Sequence, residues 1–165
     1  MPSLRTRIAY QNIVIDTVDG AADTALAAAA TANTAAANAQ TAADGVTDQS
    51  NLVSSYPSGA TLTATDVGAN VTVAVGAHTR FYADGTSVAV NAGNVTALAY
   101  STLFYIYYDD ATRAGGAVTY AATTSQTAAA QTGNRHLIGK VTTPAAAAPP
   151  NTGNYVQPPG VGDIP

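Results

Sequence analysis

The chain has no cysteine, no tryptophan and no glutamate, and lysine occurs once, at Lys140. Without cysteine there is neither a disulfide nor a thiolate metal site, so stability rests on packing and association. Charged residues make up only 10% of the sequence, which leaves Thr, Ser, Asn, Gln and Gly to cover the surface. Such a polar but uncharged surface suits a protein packed against copies of itself or other proteins better than a freely diffusing enzyme. The net charge of -4 and six scattered cations offer no Lys/Arg patch for phosphate, so nucleic acid is not an expected partner. No run of about 18 apolar residues occurs, and no basic amphipathic helix, so membrane insertion is not expected either. Arg5 and Arg7 stand where a signal peptide carries its charge, but Gln11, Asn12 and Asp16 interrupt the apolar region that should follow, and no signal peptide is read.

Alanine is what the chain has in excess. Between Ala21 and Ala43 it is interrupted only by Asp23, Thr24, Leu26, Thr31, Asn33, Thr34, Asn38, Gln40 and Thr41. At steps of three and four, Ile15, Val18, Ala22, Ala25, Ala29, Ala32, Ala36, Ala39, Ala43 and Val46 form an unbroken apolar stripe, as a heptad seam requires. Ala28, Ala35 and Ala42 widen the stripe, and the Thr, Asn and Gln side chains fall on the other faces. The spacing predicts a coiled-coil-like helical stalk over residues 19–46. Its candidate oligomer interface is Ala22, Ala25, Ala29, Ala32, Ala36, Ala39, Ala43 and Val46. A lone surface helix and a disordered low-complexity linker are the alternatives. Asp19 is the expected N-cap, and Asp44-Gly45 the expected stop. Burying a methyl group contributes only about 0.8 kcal/mol, against roughly 1.5 to 3 for leucine or valine, so the seam is weak per residue and needs a clamp at its ends.

Ahead of the stalk, residues 1–18 carry Ile8-Ala9-Tyr10 and Ile13-Val14-Ile15. They read as a strand or as the lead-in of the stalk, with β-branched density favouring the strand; Ile8, Tyr10, Ile13 and Ile15 are the candidate attachment residues, and capping the helix bundle is the other role. Residues 47–59 read as a polar linker ending in Tyr56-Pro57-Ser58-Gly59. From 60 to 143 the period changes to alternation. Thr61–Ala64, Val71–Val75, Thr79–Tyr82 and Ser87–Val90 read as short strands, and Asp84-Gly85 as a type I′ hairpin turn. Leu103–Tyr108 is apolar on both faces, as a covered central strand would be. Ala117–Tyr120 and His136–Val141 read as further strands, with a short helix or loop over Ser125–Gln131. The fold class expected is mixed, mainly β: a helical stalk, a small antiparallel β-sandwich and an extended Pro-rich tail over 144–165. That tail has little to pack with itself and is expected to lie on a neighbouring chain.

Candidates for chemistry are few. With two histidines, no cysteine and no glutamate, general acid–base and nucleophilic schemes lack partners, so no catalytic residue, cofactor or metal site is assigned. Asp109-Asp110 is the only adjacent carboxylate pair. It reads as a polar turn before it reads as a cation or sugar site. His136 beside Arg135 reads as a half-exposed sheet histidine, with a receptor-facing role as the alternative. Tyr105, Tyr107, Asp109 and Asp110 are the candidate receptor or partner surface.

The segments Tyr82-Ala83-Asp84-Gly85, Ala99–Asp109 with its YxxYYD-like strand, and Arg135–Pro144 with its closing G-x-V-T-T-P resemble the β-sandwich module of bacteriophage tail-fibre and tail-tip proteins. The alanine-rich helix ahead of such a module also resembles fibre proteins, many of them trimeric. The resemblance covers about half of the chain. It implies a non-enzymatic virion structural protein: a homotrimeric tail-fibre, tail-tip or connector subunit, assembled in the host cytoplasm beside other tail or neck proteins. The alternative it implies is a receptor- or glycan-binding adhesin, with a host surface glycan as partner. The chain lacks a long triple β-helix, the HxH metal motif of some fibre tips and a chaperone domain, which favours a connector or accessory role.

Overall fold

A computed structural model describes residues 3–156; positions 157–165 of the expected tail lie outside the described residues. The chain combines one long helix with antiparallel sheets, and it divides into two compact units, Met1–Val46 and Thr47–Pro165.

The first unit is helix throughout its described length after Ser3. Helix α1 runs Leu4–Val53, 50 residues, or about 75 Å at 1.5 Å per residue. The strand expected over Ile8–Ile15 is therefore helical, and so are 47–53, read from sequence as linker. Asp19 caps nothing. The cap is Ser3, whose Oγ accepts from the Thr6 N–H at 3.4 Å. Asp44-Gly45 does not stop the helix, because one interior glycine costs only about 1 kcal/mol and its alanine-rich neighbours favour the helix. Thr17, Thr24, Thr31, Thr34 and Thr41 each donate their hydroxyl to the carbonyl four residues back, at 2.8 to 3.0 Å. A residue type that lowers helix propensity is thus accommodated by bonding within its own helix. Every described side chain of this unit is exposed, including Ile8, Tyr10, Ile13, Val14, Ile15, Val18, Leu26 and Val46.

The second unit holds three antiparallel sheets. The first joins β1 (Tyr56–Ser58), β4 (His78–Phe81) and β5 (Ser87–Val90) in the order β1-β4-β5. The second joins β2 (Leu62–Asp66), β3 (Val71–Val75), β6 (Gly93–Leu98) and β10 (Asn151–Thr152) in the order β10-β2-β3-β6. The third joins β7 (Leu103–Asp109), β8 (Tyr120–Thr123), β9 (Arg135–Thr142) and β11 (Asn154–Tyr155) in the order β11-β9-β7-β8. A short α2 (Gln126–Ala129) precedes β9 and is capped by Ser125 Oγ. Period-2 alternation puts Leu62, Ala64, Val71, Val73 and Val75 of the second sheet into one core with Phe104, Ile106 and Tyr108 of the third, joined by Ile138 and Val141, which the register shift in β9 brings to the same face. The outward row Leu103, Tyr105 and Tyr107 is only partly covered, so β7 is central in its sheet but not buried on both faces.

The Asp84-Gly85 hairpin forms, with a different turn. Gly85 N–H bonds the Tyr82 carbonyl at 3.1 Å, Tyr82 N–H bonds the Thr86 carbonyl at 2.9 Å, and positive φ falls on Gly85 alone of the three loop residues. This is a three-residue loop ending in a left-handed glycine, which spares Ala83 and Asp84 the positive φ of a type I′ turn. The described part of the tail lies on its own chain rather than waiting for a neighbour. β10 pairs with β2 and β11 with β9, so the tail links two sheets. Gly139 and Gly153 make this crossing possible. A Cβ at Gly153 would stand 2.5 Å from the Lys140 carbonyl oxygen and 2.7 Å from Val141 Cβ, and a Cβ at Gly139 would collide with the Asn154 backbone.

Gly139→Ala and Gly153→Ala are each expected to lift the tail from β9 and lower stability by about 2 kcal/mol. Thermal unfolding and limited proteolysis would check this. A variant with unchanged melting temperature and an equally protected tail would contradict the crossing.

Candidate functional site

The inward face of β4 carries His78 and Arg80, continued by Tyr82 just beyond the strand. Arg80 is fully buried, at 0% exposure. Its Nε donates to Ser55 Oγ at 3.1 Å, its Nη1 to the Leu137 carbonyl at 2.8 Å, and its Nη2 to Gln131 Oε1. All three acceptors are neutral. Burial pulls its pKa down to about 10, so the guanidinium keeps its charge at neutral pH.

Gln131 passes the connection on. Its Nε2 donates to the carbonyls of Leu52 (3.1 Å), Val53 (2.8 Å) and Ser55 (3.2 Å), while Ser55 Oγ also donates to the Leu52 carbonyl at 2.6 Å. The last carbonyls of a helix have no intrahelical partners. Here a side chain from beyond α2 supplies them, and Leu52 itself is fully buried. Contacts at three further residues hold the same turns of α1. Arg113 donates to the Asp48 carbonyl and pairs with Asp48 Oδ1 at 3.4 Å, Gln49 Oε1 accepts from Gly133 N–H at 2.9 Å, and Asn51 Nδ2 donates to Asp84 Oδ2 at 3.3 Å. Arg113 adopts a left-handed backbone, φ 53°, unfavourable for a non-glycine residue by roughly 1 to 2 kcal/mol. Its contacts with Asp48, and with the Tyr82 ring 5.5 Å away, offset that.

His136 lies beside the guanidinium and is fully buried, not the half-exposed or receptor-facing residue expected. Its Nδ1 is 2.9 Å from the Asn134 carbonyl, which only accepts, so Nδ1 carries the proton and Nε2 accepts from the Tyr82 hydroxyl at 2.9 Å. The Tyr108 ring stacks on it at 4.8 Å and 5°. Burial, and then the charge of Arg80, push its pKa down to about 4, and it is neutral at pH 7. His78 is buried with its ring 6.3 Å from that of Tyr108 and is also lowered, first by burial. Among the described residues, the Tyr108 hydroxyl and His78 Nε2 are buried polar atoms without a hydrogen-bond partner.

The residues named from sequence fall elsewhere. Ala22, Ala25, Ala29, Ala32, Ala36, Ala39, Ala43 and Val46 are exposed along α1, as are Ile8, Tyr10, Ile13 and Ile15. Tyr105 and Tyr107 lie on the outward face of β7. Asp109 and Asp110 do not act as a pair. Asp109 receives Arg135 Nε at 3.1 Å and Nη2 at 3.2 Å, and the Arg135 guanidinium lies over the Tyr107 ring at 4.2 Å. Asp110 turns into its own loop and accepts from Thr112 N–H (3.1 Å), Thr112 Oγ1 (3.0 Å) and Gly115 N–H (2.9 Å). No cluster of three or more His, Cys, Asp or Glu suited to a metal ion occurs among the described residues.

The sequence reading missed Arg80, Gln131, Ser55 and Leu52. A signal for Arg80 was present: in His78-Thr79-Arg80-Phe81-Tyr82 the alternation puts two histidine- and arginine-type side chains on one face, and that face continues into a tyrosine. Comparison with protein-family models, with curated proteins and with solved structures finds no match to the chain.

Gln131→Ala leaves the end of α1 and one guanidinium nitrogen unsatisfied, and is expected to lower stability by about 2 to 3 kcal/mol. Tyr108→Phe deletes a hydroxyl that has no partner, and should be neutral or stabilising by about 1 kcal/mol. Urea unfolding followed by circular dichroism checks both. A Tyr108→Phe protein as damaged as Gln131→Ala would contradict the unpaired hydroxyl.

Proposed function

We propose that this chain is a non-enzymatic structural subunit of a virion tail assembly, a homotrimer held by a coiled coil along α1, with a β-sandwich head formed by its two four-stranded sheets. The observation that carries the reading is α1: a helix of 50 residues whose described side chains up to Val46 all face solvent. A helix this long with a seven-residue apolar period is what a left-handed supercoil uses and what a lone straight helix has no need of. The threonine hydroxyls satisfied within the helix belong to the face opposite that stripe.

Because the N-terminal segment is helical, the same spacing of three and four runs back from Val18 through Ile15 and Gln11 to Ile8. Ile8 and Ile15 then join the seam, and with Val18 they provide the larger side chains that an alanine seam lacks. Tyr10 and Ile13 fall off the seam and remain for attachment to a neighbouring tail or neck protein. A host-glycan adhesin is the weaker reading, since Tyr107 is covered by Arg135 and both carboxylates of the loop are engaged within the chain.

Sedimentation equilibrium of the full chain should give three times the monomer mass. A monomer persisting at high concentration would sink the proposal. Ile15→Asp is expected to shift the protein towards monomer, each chain losing roughly 1.5 to 3 kcal/mol of apolar burial, while Ile13→Asp should leave the mass unchanged.

A further inference from the structure

We propose that the cluster around Arg80 is an acid-sensitive latch: protonation of His136 drives the Arg80 guanidinium from its pocket and frees the last turn of α1 from Gln131. This goes beyond the assembly reading and does not depend on it.

The geometry makes the two cations incompatible. His136 faces Arg80 and Tyr82 from β4 and its end, Tyr108 from β7, and Asp110 and Arg113 from the loop after β7; His78 is in ring contact with Tyr108. Asp110 is the one carboxylate in this group, and its two oxygens already hold Thr112 and Gly115. A proton on Nε2 turns the Tyr82 hydroxyl from donor to acceptor and places a second positive charge beside a guanidinium that has only neutral acceptors. Arginine does not give up its proton in this range, so relief comes by movement. Arg80 cannot leave without releasing Ser55 Oγ and Gln131 Oε1; Gln131 donates to the Val53 and Ser55 carbonyls and shares the Leu52 carbonyl with Ser55.

The direction with pH follows from linkage. An exposed histidine titrates near 6.5, whereas His136 in the closed latch is held down at about 4 by burial and then by Arg80. The opened form therefore binds the extra proton first. The latch has its full stability above pH 6.5 and loses it as pH falls towards 4. His78, also lowered, acts in the same direction.

Amide hydrogen exchange on the full-length protein, corrected for intrinsic rates, tests this between pH 7.5 and 4.5. The amides of Ser54 and Ser55, bonded to the Ser50 and Leu52 carbonyls, should exchange up to about a hundredfold faster at the lower pH, while Val73 and Ile106 stay protected. His136→Gln should flatten the response. Should that variant fail to fold, Tyr82→Phe decides: the hydroxyl can turn to accept from the protonated ring in a charge-assisted bond stronger than the one it donates to the neutral ring, so its loss should move release to lower pH. Unchanged exchange at Ser54 and Ser55, acceleration of Val73 and Ile106 in step with them, a full acid response in His136→Gln, or an unmoved midpoint in Tyr82→Phe would each overturn the latch.

Discussion

A guanidinium taken out of water needs an acceptor in each direction its nitrogens point, and in this chain Arg80 finds them on three segments far apart in sequence. Ser55 follows α1, Gln131 follows α2, and Leu137 lies in β9. Leu137 sits beside the register shift at Ile106/Tyr107, where a bulge disrupts the ladder and a carbonyl is left to turn elsewhere. Satisfying one cation therefore fixes where the helix ends, where the short helix stands and how β9 is offset. A carboxylate partner would have satisfied the charge locally. Neutral acceptors, each weaker, have to be drawn from several elements, and that makes the site a junction.

The same demand sets the protonation of its neighbours. Burial first, and then the fixed positive charge close by, push the two histidines towards neutrality, and His136 takes a single tautomer because Asn134 and Tyr82 ask opposite things of its two nitrogens. The stack of Tyr108 on that ring fills the space with polarizable apolar surface that needs no hydrogen bond in the stacking direction. The unpaired Tyr108 hydroxyl and His78 Nε2 show where this solution is incomplete.

Elements governed by a local period were legible in the sequence, while those governed by remote partners were not. The strands Val71–Val75 and Ser87–Val90 stand where the alternation puts them, and the helix lies across the alanine run. The helix ends were misread at both sides. Asp19-Gly20 and Asp44-Gly45 look like punctuation, but a single glycine is a small penalty in a long alanine-rich helix. The real C-terminal end is set by Leu52 entering the core and by Gln131, about eighty positions on. The tail was misread for the same reason. Its composition shows that it cannot pack with itself, but not that Gly139 and Gly153 leave room for it on β9. Of the candidate partner surface, Tyr105 and Tyr107 do face outward, whereas Asp109 and Asp110 were grouped by adjacency although neighbours on an extended chain point to opposite sides.

Charge is scarce along the helix. From Thr24 to Ala43 the helix has no charged residue, so its solubility depends on Thr, Asn and Gln alone. The threonines use their hydroxyl protons on their own helix, leaving an outer face that hydrates weakly for a helix of this length. Such a surface gains little from remaining apart and, with alanine opposite, gains little per residue from coming together. The proposed association along it would be decided where larger side chains enter the same stripe, at Ile8, Ile15 and Val18, and by whatever the β unit contributes. In the proposed trimer the alanines would set the spacing between chains, and the residues on either side of them would decide whether the chains meet at all.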